Sequence, residues 1–399
     1  MLYYITLYSA LAVCILLTVP TTVFTVECLV GSLTRQRKSE SDIVIRPAVA
    51  VLVPAHDESE GIADTVRSIR HEMRQGDRLV VIADNCSDDT AEIARSEGAE
   101  IVERHNLLER GKGYALDAGV RYLEATPPKV VVIIDADCSI GRGTLDYLAC
   151  TVLTCKRPAQ ALNLQIAPPG SNYRMAAAEF AYLIKNQVRP LGLSQLGLPC
   201  PLMGTGMALP WALLRDANLA SSHQVEDVKF SLDLAREGHT ALFCDQAVVT
   251  SYFPHSKEGT ETQQRRWERG HLSMIVRAAR SIVWPENWTS LGYIVLLLDI
   301  IVPPFTLLCL ASLTILLFST LLAFSGDTTL PLSIALANVL MLFCSVCAAW
   351  AVHGRSVLPF RKLAQVPLYA LSKIRLYPKL SAGHEIWVRT DRKRSDRAG

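Results

Sequence analysis

Residues 49–54, Val-Ala-Val-Leu-Val-Pro, form a short apolar run closed by proline, which is typical of a buried β-strand. Segments with helical periodicity and further apolar strands follow it in alternation, at residues 61–73, 77–83, 88–98, 100–103, 114–124 and 130–134. The apolar strands at 49–54 and 130–134 are unbroken, as in strands that are buried on both sides. The pattern therefore predicts an α/β fold with a mostly parallel sheet that helices cover on both faces.

Polar residues follow three of these strands, and parallel sheets bind their ligands at the carboxyl ends of the strands. The three strand ends read His56-Asp57-Glu58, Asp84-Asn85-Cys86-Ser87-Asp88-Asp89-Thr90 and Asp135-Ala136-Asp137. Neither G-x-x-x-x-G-K-[ST] nor G-x-G-x-x-G follows any strand, which argues against an ATPase or a dinucleotide-binding protein. Because acidic strand ends repel a bare diphosphate, a nucleotide bound here requires a divalent cation.

Four short patterns have both a chemical and an ordinary interpretation. Asp135-Ala136-Asp137 suits a hard cation, but chance and strand-end capping also produce D-x-D. Glu226-Asp227 precedes a helix and would also cap one. The basic and aromatic run at residues 263–267 (Gln-Gln-Arg-Arg-Trp) also suits a membrane interface, and Gly204-Thr205-Gly206 also suits a plain tight turn.

Composition narrows the class of protein. Half of the 399 residues are apolar, and the mean hydropathy of +0.23 is high for a soluble globular chain. The 40 basic and 38 acidic residues leave a net charge of +2, so a nucleic-acid binder driven by phosphate attraction is not expected. The 11 cysteines are scattered, which indicates reduced thiols with no disulfide framework or zinc ribbon.

Three apolar blocks predict membrane spans, at residues 2–31, 291–324 and 330–352. Basic residues flank them on one side: Arg35, Arg37 and Lys38 after the first block, and His353, Arg355, Arg361, Lys362 and the tail 389–397 after the third. By the positive-inside rule, three spans place residues 34–285 in the cytosol. Pro303-Pro304 leaves a second possibility, a split of the second block into an interfacial helix and one span with the same topology.

We therefore divide the chain into five segments. They are an N-terminal transmembrane anchor (1–33), a cytosolic α/β domain (34–270), an interfacial helix (271–290), two transmembrane helices (291–352), and a cytosolic interfacial segment with a basic tail (353–399). Ordinary surface helices remain the alternative for the basic amphipathic stretches at 271–284 and 357–380.

In chain order, the motifs VPAHDE, ADNCSDDT, GKGYAL, DAD, GTG, ED and QQRRW resemble those of membrane-bound family-2 glycosyltransferases. This family includes cellulose, chitin and hyaluronan synthases and bacterial exopolysaccharide enzymes. The resemblance covers residues 48–270. It implies a GT-A fold between N- and C-terminal transmembrane helices, a Mg or Mn cofactor, and an inverting transfer of sugar from a UDP-sugar.

The resemblance also implies roles for individual residues. Asp57, Glu58, Asp84, Lys112 and Asp135 would line the donor site, with Asp57 and Asp84 at the uridine end. The metal would be held by Asp137 and Asp135. Asp227 would be the general base beside Glu226, and Gln263, Arg266 and Trp267 would border the diphosphate and the acceptor.

Two departures from the family bear on the acceptor. After residue 267 there is no clear counterpart of the gating loop of polymer-secreting synthases, and three spans are fewer than those enzymes use to line a channel. We therefore expect transfer to a lipid-linked or growing polysaccharide acceptor at the cytosolic membrane face, in polysaccharide or glycolipid biosynthesis. The expected location is a multi-pass position in the bacterial inner membrane.

Four alternatives stay open at this point. The chain could be a catalytically silent scaffold or sensor that binds sugar nucleotides, or a processive synthase whose channel is completed by a homo-oligomer or other membrane subunits. A transport subunit has little support, because Glu27 and Asp299 are the only charges within the apolar blocks. A glycosidase, the fourth alternative, has little support, because it would need neither the metal-binding pair of acidic residues nor the membrane segments.

Overall fold

The computed structural model describes residues 2–33, 46–220, 225–254, 257–284, 288–326 and 328–363. The basic flank Arg35, Arg37 and Lys38, most of the stretch 357–380 and the tail 389–397 lie outside these residues. The chain divides into two compact units. Within the described residues, the helical unit comprises residues 2–33, 170–197 and 268–363, and the sheet unit comprises residues 46–169 and 198–267.

The described residues form eight strands and fourteen α-helices. The strands are β1 (Val49–Ala55), β2 (Arg78–Asp84), β3 (Glu100–Arg104), β4 (Val130–Ile133), β5 (Ser139–Ile140), β6 (Ala159–Ile166), β7 (Met207–Pro210) and β8 (Leu242–Tyr252). The helices are α1 (Leu2–Leu33), α2 (Ile62–Glu72), α3 (Thr90–Ser96), α4 (Lys112–Leu123), α5 (Thr144–Cys155), α6 (Tyr173–Leu183), α7 (Arg189–Gln195), α8 (Trp211–Arg215), α9 (Glu226–Arg236), α10 (Lys257–Val283), α11 (Leu291–Ile300), α12 (Phe305–Phe324), α13 (Leu330–Ala349) and α14 (Phe360–Leu363). Ile184–Val188 and Trp350–Gly354 are π-helical turns.

The sheet unit contains one eight-stranded sheet with the strand order β3-β2-β1-β4-β7-β6-β8-β5. The first four strands in this order are parallel to one another, as the alternating pattern predicts. β7 runs antiparallel to both of its neighbours, and β5 runs antiparallel to β8. The sheet is therefore mixed, with a parallel half that carries the acidic strand ends.

Helices cover both faces of this sheet. On one face, apolar side chains of α2, α3 and α5 pack against alternate residues of β1, β2 and β4, such as Val51, Val81 and Val132, which are fully buried. On the other face, α4 lies so close that a Cβ at Gly119 would meet Leu52 and Ile82. Burial on both faces explains why these strands are apolar without interruption.

A buried ion network fixes the start of the sheet unit. The Arg46 guanidinium donates to both Asp77 oxygens at 2.8 and 2.7 Å and to Asp146 at 2.5 Å, and its side chain and that of Asp77 are almost completely buried. Asp77 also accepts the Val49 N–H at 2.9 Å and the Arg74 N–H at 2.7 Å. The network ties the residues just before β1 to the beginning of β2.

In the part of the helical unit that the structure describes, three helices are long and apolar enough to cross a membrane: Tyr3–Leu33, Phe305–Phe324 and Leu330–Gly354. The second apolar block is divided at its prolines, since α11 ends at Ile300 and α12 begins at Phe305. A lone proline, Pro20, lies within α1. These boundaries agree with the split that Pro303-Pro304 left possible in the sequence.

Residues 170–197 belong to the helical unit although they lie between β6 and β7 in the chain. They form α6, a π-helical turn and α7. A Cβ at Gly31 of α1 would overlap the Val188 carbonyl, and one at Gly192 of α7 would overlap the Glu27 carbonyl. Glycine at both positions therefore allows the two backbones to touch.

We predict that Arg46→Met destabilises the protein by about 3 kcal/mol or more, because it leaves the buried Asp77 carboxylate without its cation. Thermal unfolding of the full chain in detergent would measure this loss. Arg95→Met is the matched control, since the Arg95–Glu103 pair is exposed and we expect a change of about 1 kcal/mol or less.

The same comparison has an expected pH dependence. Burial raises the pKa of Asp77, but hydrogen bonds from Arg46 and from the Arg74 and Val49 N–H groups outweigh it and leave that pKa lowered. A lowered pKa contributes stability above the ordinary aspartate pKa of about 4, and this stability is lost as the pH falls through the folded-state value. The difference in unfolding temperature between wild type and Arg46→Met should therefore become smaller in acid. A difference that does not change with pH would argue against a lowered pKa of Asp77.

Candidate active site

The predicted strand ends lie on neighbouring strands. β1 pairs in parallel with β2 on one side and with β4 on the other, with Ala55 opposite Ala83 and Leu52 opposite Ile133. Asp57, Asp84 and Asp135 therefore follow, or end, three adjacent strands at one edge of the sheet. This edge is the candidate active site.

Asp84, the last residue of β2, is 5% exposed and is held by a cation. Arg104 at the end of β3 donates to its carboxylate at 2.8 Å, and the Asn85 amide donates at 3.0 Å. The His56 Nδ1–H donates to the Asp84 carbonyl at 2.7 Å, which joins the ends of β1 and β2. These contacts fix the side chain expected at the nucleoside end of the donor.

Asp57 and Glu58 lie in the turn between β1 and α2. Asp57 has a φ of 52° and accepts the Ser87 N–H at 2.6 Å. The main chain of Glu58 serves the fold, since its carbonyl accepts the first helical N–H at Ile62 (2.9 Å) and its own N–H donates to Thr90 Oγ1 at 2.8 Å. The turn therefore holds Asp57 against the loop that follows β2.

Lys112, the first residue of α4, lies at the centre of the acidic residues. Its ammonium donates to the Asp135 carboxylate and, at 2.7 Å, to the Gly204 carbonyl. Burial lowers the pKa of Lys112, but the nearby Asp135, Glu226 and Asp227 outweigh this effect and leave that pKa raised. Lys112 is therefore a firmly charged cation among three carboxyl groups.

Asp135 and Asp137 are the candidate ligands for a divalent cation. Ligand atoms of Asp135, Asp137 and Cys138 lie within 4.8 Å of one another. Burial raises the pKa of Cys138 well above its usual range, which disfavours its thiolate in the metal-free protein. Carboxylate oxygens are the ligands that Mg²⁺ and Mn²⁺ prefer, so the donor set fits such an ion.

Glu226 and Asp227 begin α9 and lie close to Lys112. Burial raises the pKa of Glu226 to about 7, with Lys112 opposing and Asp227 and Asp135 adding to the rise. A Cβ built on Gly204, whose φ is +86°, would lie 3.3 Å from Asp227 Oδ2 and 3.7 Å from Lys112 Nζ. A side chain at residue 204 would therefore crowd the Asp227 carboxylate, and glycine keeps that carboxylate uncovered.

A small pocket connects these groups. Its walls are lined by Lys112, Gly113, Leu116, Ile133, Gly204, Met207, Asn218, Leu219, Glu226, Asp227, Lys229 and Phe230. The charged residues of this lining are Lys112, Glu226, Asp227 and Lys229. The rest of the wall is largely apolar, which strengthens electrostatic interactions among these groups.

The motif at residues 263–267 (Gln-Gln-Arg-Arg-Trp) lies in the first part of α10. Gln263 is 2% exposed, and its Oε1 accepts a hydrogen bond from the Gln165 side chain of β6 at 3.3 Å. Arg266 is near enough to Glu226 to lower its pKa, in opposition to burial. Arg266 and Trp267 are partly buried. The structure thus brings Arg266 to the acidic group and uses Gln263 to join α10 to the sheet.

A model of the family described as glycosyltransferase like family 2 matches residues 47–270, more than half of the chain. The chain belongs to glycosyltransferase family 2. The resemblance seen in the motifs is therefore confirmed, and the matched range contains every candidate site residue.

Two relatives resemble a part of this chain. Over 101 residues, a quarter of this chain, 38% are identical to an uncharacterized glycosyltransferase of Mycobacterium tuberculosis; over 103 residues, 26% of this chain, 34% are identical to an uncharacterized protein of Methanocaldococcus jannaschii. The matches span 42% and 41% of those two proteins.

A mannosyltransferase from Pyrobaculum calidifontis has a similar structure, with a TM-score of 0.51 at 19% identity, covering 91% of this chain and 97% of that one. At this identity the similarity concerns the fold. It confirms the predicted α/β fold of the GT-A type with apolar helices in the N- and C-terminal regions.

Sequence reasoning did not single out two residues of this family-2 site. Arg104 neutralises Asp84, and Thr205 accepts the Asp135 N–H at 3.0 Å. Arg104 could have been found by extending the inspection of strand ends to the third strand, because it pairs in register with Asp84. Thr205 was quoted only as part of the Gly204–Gly206 turn, and its contact spans 70 residues.

We predict that Glu226→Gln changes how stability depends on pH in metal-free protein. A raised carboxyl pKa contributes stability that is fully present below the unfolded-state pKa of about 4.3 and is lost as the pH rises through the folded-state value. Here that value is about 7. Thermal unfolding between these two pH values should therefore show a decline for wild type that is weaker in Glu226→Gln.

The matched control is Glu237→Gln, because Glu237 is exposed at the other end of α9. It should follow the wild-type curve. Parallel curves for wild type and Glu226→Gln would contradict the raised pKa.

Proposed function

We propose that this chain is an inverting, metal-dependent glycosyltransferase that moves a sugar from a UDP-sugar to a lipid-linked or growing polysaccharide acceptor. Asp227 is the general base, with Glu226 beside it. Asp57, Glu58, Asp84, Lys112 and Asp135 bind the donor, Asp137 and Asp135 hold Mg or Mn, and Gln263, Arg266 and Trp267 border the diphosphate and the acceptor.

The observation that carries this proposal is the placement of Asp227 and Lys112 beside Gly204. A Cβ at Gly204 would crowd Asp227 Oδ2 at 3.3 Å, so the absence of a side chain there keeps the carboxylate uncovered for an acceptor hydroxyl. Lys112 Nζ is 3.7 Å from the position of that Cβ and contacts Asp135. A base and a cation that face one small space suit attack by a hydroxyl and departure of an anion.

The reaction then follows from ordinary acid–base chemistry. Asp227 takes the proton from the acceptor hydroxyl, whose oxygen attacks the anomeric carbon from the side opposite the nucleotide. The new C–O bond forms as the bond to the diphosphate breaks, and the configuration inverts. Lys112 and Arg266 offset the charge that develops on the leaving diphosphate. A divalent cation on Asp135 and Asp137, when bound, supplies further neutralisation of that charge.

The membrane setting is part of the proposal. Three helices have the length and composition of spans, and the basic residues that flank the apolar blocks favour a cytosolic catalytic domain. In this orientation the general base Asp227 faces the cytosol, and the chain has few spans. Both features favour a lipid-linked acceptor over export of a polymer by this chain alone. We place the protein as a multi-pass protein of the bacterial inner membrane, with a homo-oligomer or other membrane subunits as candidate partners.

The identity of the nucleobase in the donor, uracil or guanine, needs a direct test. The Pyrobaculum calidifontis mannosyltransferase was solved in complex with GDP-Man and Mn²⁺, whereas the motifs of this chain resemble UDP-sugar enzymes. The carboxylate of Asp84 can accept from an N–H of either base. The donor panel should therefore contain both UDP-sugars and GDP-sugars.

We predict that Asp227→Asn lowers sugar transfer by about 10²–10⁴-fold, because the amide cannot take the acceptor proton. Donor binding should be retained, since the base acts only in the chemical step. The assay combines the purified full chain with Mg²⁺ or Mn²⁺, the labelled donor panel and a membrane lipid extract. Asp233→Asn, on the same helix and paired with Lys229 near the surface, is the matched control and should remain active.

The destination of the label separates the alternatives. Label in the organic phase from one donor, absent with Asp227→Asn, supports a lipid-acceptor glycosyltransferase. Label in insoluble polymer supports a processive synthase that works with further spans. Donor binding without transfer or release of the nucleoside diphosphate supports a silent scaffold or sensor. Loss of donor binding in Asp227→Asn would contradict the role of Asp227 as base.

A further inference from the structure

Lys112 occupies an unusual position for a cation. It is the first residue of α4, where the helix dipole favours negative charge and opposes a lysine. Asp135, Glu226 and Asp227 surround it and outweigh that effect. The position of Lys112 is therefore explained by the carboxyl groups of the site and not by its own helix.

The contacts of Lys112 are specific. The ammonium donates to the Asp135 carboxylate and to the Gly204 carbonyl at 2.7 Å. Both acceptors are distant in sequence, by 23 and 92 residues. Asp135 is held from its other side by its main chain, whose N–H donates to Thr205 at 3.0 Å. Lys112 thus closes a fixed bridge between the end of β4 and the Gly204 turn.

Asp135 is also one of the two carboxylates that fit a divalent cation. An ammonium bonded to Asp135 and a divalent cation on the same carboxylate repel each other at short distance. The cation must therefore either displace Lys112 or bind against its charge. A diphosphate that arrives with the cation offers Lys112 another anion within the same small space.

We propose that Lys112 is the built-in counter-ion of Asp135: it holds this carboxylate until a divalent cation and a nucleoside diphosphate arrive together and displace it. The proposal rests on the proposed function for the identity of the donor. It makes Lys112 a positioning residue for the cation as well as a contact for the diphosphate. The cation alone then binds weakly, and the nucleotide strengthens its binding.

The test measures Mn²⁺ binding to the purified full chain from the EPR signal of free Mn²⁺, with and without UDP or GDP. Breaking a charge-assisted hydrogen bond costs enough to weaken binding about tenfold, so Lys112→Met should bind Mn²⁺ alone about tenfold more tightly than wild type. A lysine that only contacts phosphate would leave binding of Mn²⁺ alone unchanged. Lys112→Gln, which can still donate to the Gly204 carbonyl, is the second variant and should show the same direction.

Two control variants accompany this test. One separates the direct contact of Lys112 with Asp135 from the general effect of a nearby positive charge, and the other locates the bound ion. Lys229→Met removes a lysine from the lining of the same pocket, but Lys229 pairs with Asp233 at 2.8 Å and not with Asp135. We expect it to change Mn²⁺ affinity by about twofold or less, because its charge acts only at a distance. Asp135→Asn should lose most Mn²⁺ binding, which verifies the location of the ion.

The outcomes are distinct. Tighter Mn²⁺ binding in both Lys112 variants and not in Lys229→Met supports the proposal. Unchanged or weaker Mn²⁺ binding in the folded Lys112 variants overturns it, and so does an equal tightening in Lys229→Met. If neither UDP nor GDP alters Mn²⁺ binding by wild type, the proposed donor function fails; the comparison of variants with Mn²⁺ alone still decides whether Lys112 guards Asp135.

Discussion

Mutual repulsion among carboxylates is the constraint on which this site depends. A parallel sheet brings the ends of neighbouring strands to one edge, and this chain places an acidic residue at each of three such ends. The fold supplies a cation to two of them, Arg104 at the end of β3 for Asp84 and Lys112 at the start of α4 for Asp135. The charge balance of the site is therefore built from adjacent elements, before any ligand binds.

Backbone conformation sets the direction of the side chains in the turns that follow β1 and β2. Asp57 and Asn85 follow β1 and β2 with φ values of 52° and 53°, in the left-handed region that costs most residues free energy. Hydrogen bonds hold both turns: Asp57 accepts the Ser87 N–H, and the Asn85 Oδ1 accepts the Asn106 N–H at 2.7 Å. The strain at the two strand ends is thus offset by the contacts that shape the site, which is typical of functional turns.

The sequence predicted the parallel half of the sheet well and the mixed half poorly, for a physical reason. β1, β2 and β4 are buried on both faces and are apolar without a break, so their ends could be read directly. β6 carries Gln160, Asn163 and Gln165, all less than 5% exposed, which hides its strand character. Gln160 donates to the Thr205 carbonyl at 2.9 Å and Gln165 contacts Gln263, partners that no local pattern identifies. The individual motifs were visible in sequence, whereas the contact of Lys112 with Gly204 required the fold.

The same limit applies to the helical unit, where Glu27 and Asp299 looked like isolated charges in apolar segments. Arg189 donates to both, at 2.6 Å each, from the segment that leaves the sheet between β6 and β7. All three are buried, so removing one leaves an uncompensated charge, which costs far more than the pair contributes. The contact of Gly31 and Gly192 with facing carbonyls admits no sideways slip between α1 and α7. Charge and close packing therefore specify one register together: residues 170–197 are part of the core of the helical unit, and α1 cannot be treated as an exchangeable anchor.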